Sequence, residues 1–76
     1  MTGERYNALR TAWGATHKTM GEILGCDPRT SRRWAAGDLK VPRAVVLALS
    51  VLNSLHVAGR GDPIETARKA LDLEGA

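Results

Sequence analysis

The 76-residue chain contains no phenylalanine, one tyrosine and two tryptophans. Bulky core filler is scarce, so Trp13 and Trp34 are needed inside, which excludes their use as exposed stacking platforms for single-stranded nucleic acid. A single cysteine, Cys26, rules out an internal disulfide, and a small domain without one fits a reducing, cytoplasmic setting. Beside Asp27, which holds a thiol in its protonated form, Cys26 reads as a buried, inert residue. No apolar run approaches the roughly 20 residues that span a bilayer, and Thr2, Gly3, Glu4 and Arg5 lack the basic-then-apolar order of a signal segment. A protein that is neither secreted nor membrane-embedded is expected. His17 and His56 have no cysteine or carboxylate at ligand spacing, so no metal site is expected. There is no phosphate-cradling glycine loop and no serine or cysteine beside a plausible base. The expectation is a binding module with no enzymatic activity, no cofactor and no small-molecule ligand.

What is present is the composition of a folded chain, 43% hydrophobic and 25% charged, at a length that suits one domain over residues 1–76 with a core of marginal size. Apolar residues recur at helical spacing, and no stretch alternates as a strand does. The spacing predicts an all-α fold of five helices. Thr2 caps the first, whose apolar face is Tyr6, Leu9 and Trp13, and Gly14 ends it. Thr16 caps the second, with Met20, Ile23 and Leu24 inward and Gly25 as its stop. Asp27 and Pro28 form an N-cap and first-position pair that opens the third, which runs to about Ala36 before Gly37. Only Gly25, Cys26 and Asp27 separate helices two and three, the short glycine-containing connection of a helix-turn-helix. Pro42 opens the fourth, and a fifth over about residues 63–73 starts from Asp62, with Glu65 placed for a capping box and Ile64, Ala67 and Leu71 inward.

The charge is localised. Residues 27–43 hold Arg29, Arg32, Arg33, Lys40 and Arg43 against Asp27 and Asp38, which accounts for the whole net charge of +3. At about 100° per residue, Arg29, Arg32 and Arg33 share one face of the third helix while Ser31, Trp34 and Ala35 share the other. The arginines have no carboxylate at i+3 or i+4, which argues against an ordinary solvated face. An arginine stripe on a short helix carried across a tight turn suits the major groove of DNA, where arginine bonds the guanine O6 and N7 in a fork.

The run THKTMGEILGCDPRTSRRWAAGDLKVPRAVVLAL, from Thr16 to Leu49, resembles the helix-turn-helix of the lambda-repressor, Cro and XRE-like regulators. With Thr2 to Trp13 as the first helix, the resemblance covers about two thirds of the chain, with a DNA-binding core over about residues 2–55. Gly21 stands where the family places alanine or glycine so that two helices can approach. Gly25 is the turn glycine, Met20, Leu24 and Trp34 occupy core positions, and Gly37 ends the recognition helix. The resemblance implies a lambda-repressor-like domain in which Arg29 and Arg33 read bases. It assigns backbone or mixed contacts to His17, Thr30, Arg32, Lys40 and Arg43. Ser31 departs from the valine or isoleucine the family buries there. Its side chain either forfeits an apolar contact or buries a hydroxyl bonded to the preceding turn.

The fourth helix is apolar on almost every side, more than one core face can bury. Either the fifth helix folds back on it or a second copy packs there. A homodimer is expected, through Val51, Leu52, Leu55, Ile64 and Leu71, since two recognition helices double the site that one reads. The resulting expectation is a transcriptional repressor of double-stranded DNA, acting on an inverted-repeat operator and suited to silencing its own operon. Small phage-type and anti-CRISPR-associated repressors share the resemblance. The competing class is a helix-turn-helix used as a protein-interaction module, an antitoxin or an RNA polymerase-binding adaptor.

Overall fold

The computed structural model describes residues 1–75; Ala76, the last residue of the expected domain, lies outside the described residues. Five helices follow one another: α1 (Gly3–Ala12), α2 (His17–Leu24), α3 (Pro28–Ala36), α4 (Arg43–Val57) and α5 (Pro63–Leu73). Among the described residues there is no strand, and no helix is long and apolar enough to cross a membrane.

The helix starts follow from side-chain oxygens that satisfy N–H groups left free in a first turn. Thr2 accepts from the Arg5 N–H at 3.0 Å and Thr16 from the Thr19 N–H at 3.1 Å. Asp27 and Asp62, each followed by proline, accept instead from the residue two positions on, Arg29 at 2.8 Å and Ile64 at 3.0 Å. The capping box expected of Asp62 and Glu65 is therefore replaced by an Asp-Pro start. Proline supplies no N–H at the first helical position, and the Asp oxygen turns to the next donor along. Gly25 and Gly37 end α2 and α3 in the left-handed conformation, at φ 71° and 79°.

The core joins Tyr6, Leu9 and Trp13 of α1 and its end to Met20 and Ile23 of α2, Trp34 of α3, Val41 of the following loop, Leu49 of α4 and Ile64 of α5. The scarce aromatics are inside, as expected: Tyr6 is fully buried, and its ring meets Trp34 edge-on with centroids 5.5 Å apart. That arrangement suits the ring quadrupoles and locks α1 onto α3. Trp13 donates to the Asn53 amide oxygen at 3.4 Å, linking α1 to α4. Cys26, read as buried, is half-buried against the core edge instead. Its thiol is pushed up by burial first and by Asp27 second.

Close backbone approach fixes the turn between α2 and α3. A Cβ on Gly21 would run into the carbonyl oxygen of Cys26, with Pro28 N 3.5 Å away. The same turn is closed by the Cys26 N–H donating to the Gly21 carbonyl at 3.0 Å. At the other end of α3, a Cβ on Gly3 would lie 2.6 Å from the Trp34 carbonyl oxygen and 2.8 Å from Gly37 N. Glycine at these two places lets α3 sit against backbone on both sides. α5 packs on α4 and on α2, and a surface ion pair between Arg68 and Glu22 at 3.6 Å spans the α5–α2 contact.

Candidate nucleic-acid interface

α3 has nine residues, about 13 Å of helix, and a helix diameter of about 10–12 Å is what a major groove about 12 Å wide admits. Its inward side is Ser31 and Trp34, both buried, and its outward side is Arg29, Arg32 and Arg33, all exposed. Among the described residues, none of these three has a carboxylate within 4.0 Å, and the same holds for Lys40 and Arg43. The five cations are thus uncommitted to any internal anion. Thr30, also expected at the interface, is half-buried beside them.

The loop after α3 is shaped by Gly37. The Asp38 and Leu39 N–H groups both turn back to the Arg33 carbonyl, at 3.0 and 3.3 Å, so the chain leaves the helix sharply. Val41, 3% exposed, then pins the loop to the core between Lys40 and Arg43, which both stay exposed. α4 starts at Arg43 behind Pro42 without a side-chain cap, which leaves its first N–H groups open to solvent or an anion. Lys40, Arg43 and these donors suit a phosphate backbone, which carries no base identity.

His17, at the first position of α2, is where the structure adds most. Its Nδ1 lies 2.8 Å from the Ser31 hydroxyl, and that hydroxyl lies 2.5 Å from the phenol oxygen of Tyr6. The buried serine therefore has partners, and its bonds reach α1 and α2, which corrects the expectation of a bond to its own preceding turn. Burial lowers the His17 pKa from its usual value, and the charges of Arg10 and Arg32 act in the same direction. Arg10 itself is held by Asn7 and by the Ala15 carbonyl, which it meets at 2.8 Å, so it braces the chain just before α2. Tyr6 and Arg10 were missed from the sequence as parts of this site. The signal that pointed to Tyr6 was the polar Ser31 at an inward position, because a buried hydroxyl requires a partner.

The expected pairing surface divides. Ile64 is 8% exposed and belongs to the core, so its place in a dimer contact is corrected: it is spent on holding α5 to the domain. Leu55 is half-buried and lies outside the groove described next. Val51, Leu52 and Leu71 do line an open apolar groove of about 410 Å³ between α2, α4 and α5, together with Leu47 of α4 and Ile23 and Leu24 of α2. Leu47 and Val51 are 67% and 55% exposed. Folding back of α5 covers part of α4 and leaves this strip bare.

What fold and site together define is an all-helical domain with an unpaired arginine face on one short helix and an apolar groove formed by α2, α4 and α5. No family model matches the chain, nor does any curated protein or solved structure.

Proposed function

We propose that the chain is a sequence-specific regulator of transcription that binds double-stranded DNA through a lambda-repressor-like helix-turn-helix, α2 and α3, and acts as a repressor. The observation that carries this reading is the exposed, carboxylate-free face of Arg29, Arg32 and Arg33, on a helix held by backbone contact at both ends. Arg29 and Arg33 read bases, while His17, Thr30, Arg32, Lys40 and Arg43 make backbone or mixed contacts. Two copies joined across the groove of Leu47, Val51, Leu52 and Leu71 present two α3 helices to an inverted repeat. The protomer measures 32 × 27 × 21 Å, which suits half-sites one helical turn, about 34 Å, apart.

The test is mobility shift on duplexes selected from a random pool, at two salt concentrations. Binding falls steeply with salt, Arg33→Ala relaxes base preference at one position, and Lys40→Ala weakens all sequences alike. Absence of binding to any duplex at low salt overturns the reading. The groove favours one second reading, a protein-interaction module of the antitoxin or polymerase-adaptor kind. That reading requires the groove variant Val51→Glu to abolish partner binding while Arg29→Ala leaves it intact.

A further inference from the structure

Ser31 is the one fully buried polar residue in the core among the described residues, and it stands between a phenol and an imidazole. The direction of its bonds follows from acidity. A phenol is a far stronger acid than an aliphatic alcohol, so Tyr6 donates to the Ser31 oxygen. With Tyr6 donating to it, the Ser31 hydroxyl has one acceptor left for its own proton among its partners in the described residues, Nδ1 of His17. An Nδ1 that accepts carries no proton, so the ring proton is on Nε2. The two ring nitrogens point to opposed sides of an imidazole. With Nδ1 turned toward the buried serine, Nε2–H is turned away from it. From the neighbouring helices, Ser31 of α3 meets the ring and is itself bonded by Tyr6 of α1, and the charges of Arg10 of α1 and Arg32 of α3 act on it. Both arginines oppose a second proton.

We propose that Tyr6 and Ser31 are positioning residues of the DNA interface, fixing His17 as an uncharged donor whose Nε2–H meets a phosphate oxygen. The proposal rests on the DNA-binding reading above and assigns it a contact of a different kind from those of the arginines. A cation on a phosphate releases condensed counterions and steepens the salt dependence of binding. A neutral donor adds a hydrogen bond and releases none.

The test is the dissociation constant on a selected duplex, measured across salt at pH 8. His17→Leu weakens binding about fivefold per half-site, the worth of one neutral hydrogen bond, and leaves the salt slope unchanged. Arg32→Ala reduces the slope by about 0.9 per phosphate released. Ser31→Ala weakens wild-type binding and has no further effect in the His17→Leu background, whereas Ser31→Thr, which keeps the hydroxyl, retains affinity. Because Ser31→Ala strands the Tyr6 phenol, the pair Tyr6→Phe with Ser31→Ala, which removes both hydroxyls, provides the same comparison if the single variant unfolds. Nitrogen-15 shifts of the free protein place the His17 proton on Nε2. A proton on Nδ1, a His17→Leu slope that drops like that of Arg32→Ala, or a Ser31→Ala loss that persists without His17 each overturns the proposal. Any of these with intact wild-type binding leaves the DNA-binding reading standing; loss of wild-type binding to every duplex removes both.

Discussion

Replacing Gly21 by alanine puts helix propensity and packing in direct opposition, which makes the sign of the result informative. In the interior of a helix, alanine is better than glycine by about 1 kcal/mol, because glycine has more backbone freedom to lose on folding. At Gly21, however, the added methyl meets the Cys26 carbonyl oxygen. That oxygen is backbone, in a turn held by the hydrogen bond from the Cys26 N–H to the Gly21 carbonyl and by the Asp27–Pro28 start of α3. Relief requires α3 to move away from α2. Inserting one methyl into a packed site of this kind costs about 2 to 3 kcal/mol, so the net loss is about 1 to 2 kcal/mol. For a domain of this size, each kcal/mol lowers Tm by about 4–8 °C. Thermal unfolding followed by circular dichroism reads this directly, with Ala8→Gly as calibration. Ala8 is an exposed residue within α1, so its change reports the propensity term alone, about 1 kcal/mol. A Gly21→Ala protein with a Tm at or above that of the wild type would refute the close approach of the two helices and the argument built on it.

The pH profile of stability has two edges. The His17 pKa is lowered on folding, so the unfolded chain binds the proton more tightly; its contribution is complete above about pH 6.5 and is lost as pH falls through the folded-state value. Tyr6 is raised, chiefly by burial, so stability falls as pH rises past about 10, where the unfolded phenol ionises first. Denaturant titrations across pH check both, and His17→Gln removes the acid edge only. Cys26, with its thiol pushed up, reacts with iodoacetamide at pH 7.5 more slowly than a free cysteine, by mass spectrometry; a faster rate contradicts its environment. Leu47→Glu or Val51→Glu places a charge on the groove without touching the core and, for the dimer proposed above, shifts sedimentation toward monomer, while Leu55→Ser has the smaller effect on association because it lies outside the groove.

The elements written in local chemistry were legible in the sequence. Thr2, Thr16, Asp27–Pro28 and Gly37 mark helix ends because a cap or a left-handed glycine needs only its immediate neighbours, and the observed starts of α1 and α2 and both ends of α3 follow them. The arginine face was legible for the same reason, since helical phase is a local property. The Tyr6–Ser31–His17 chain was not, because its bonds connect residues 14 and 25 positions apart and depend on how α1, α2 and α3 cross. The division of α4 and α5 between core and groove was equally hidden. Ile64 and Leu71 share one apolar stripe by periodicity, yet only Ile64 sits deep, at the end of α5 where the chain arrives from α4. The Asp62 cap differed from expectation because two rules applied to one residue and the proline decided between them.

The groove and the arginine-bearing helix α3 have a wall in common. Ile23 and Leu24 line the groove from the end of α2, immediately before the Gly25 turn that leads into α3. A copy of the chain, or any other occupant, that presses on those two side chains presses on the support of the arginine face. If the protein functions as proposed, occupancy at one place and grip on DNA at the other are thermodynamically linked, and the coupling runs equally in both directions. A duplex that prefers one tilt of α3 selects the groove shape that goes with it. An occupant that spreads α2 from α4 alters which duplexes are held. In so small a domain, the groove and the seat of the arginine face are set by the two sides of one eight-residue helix.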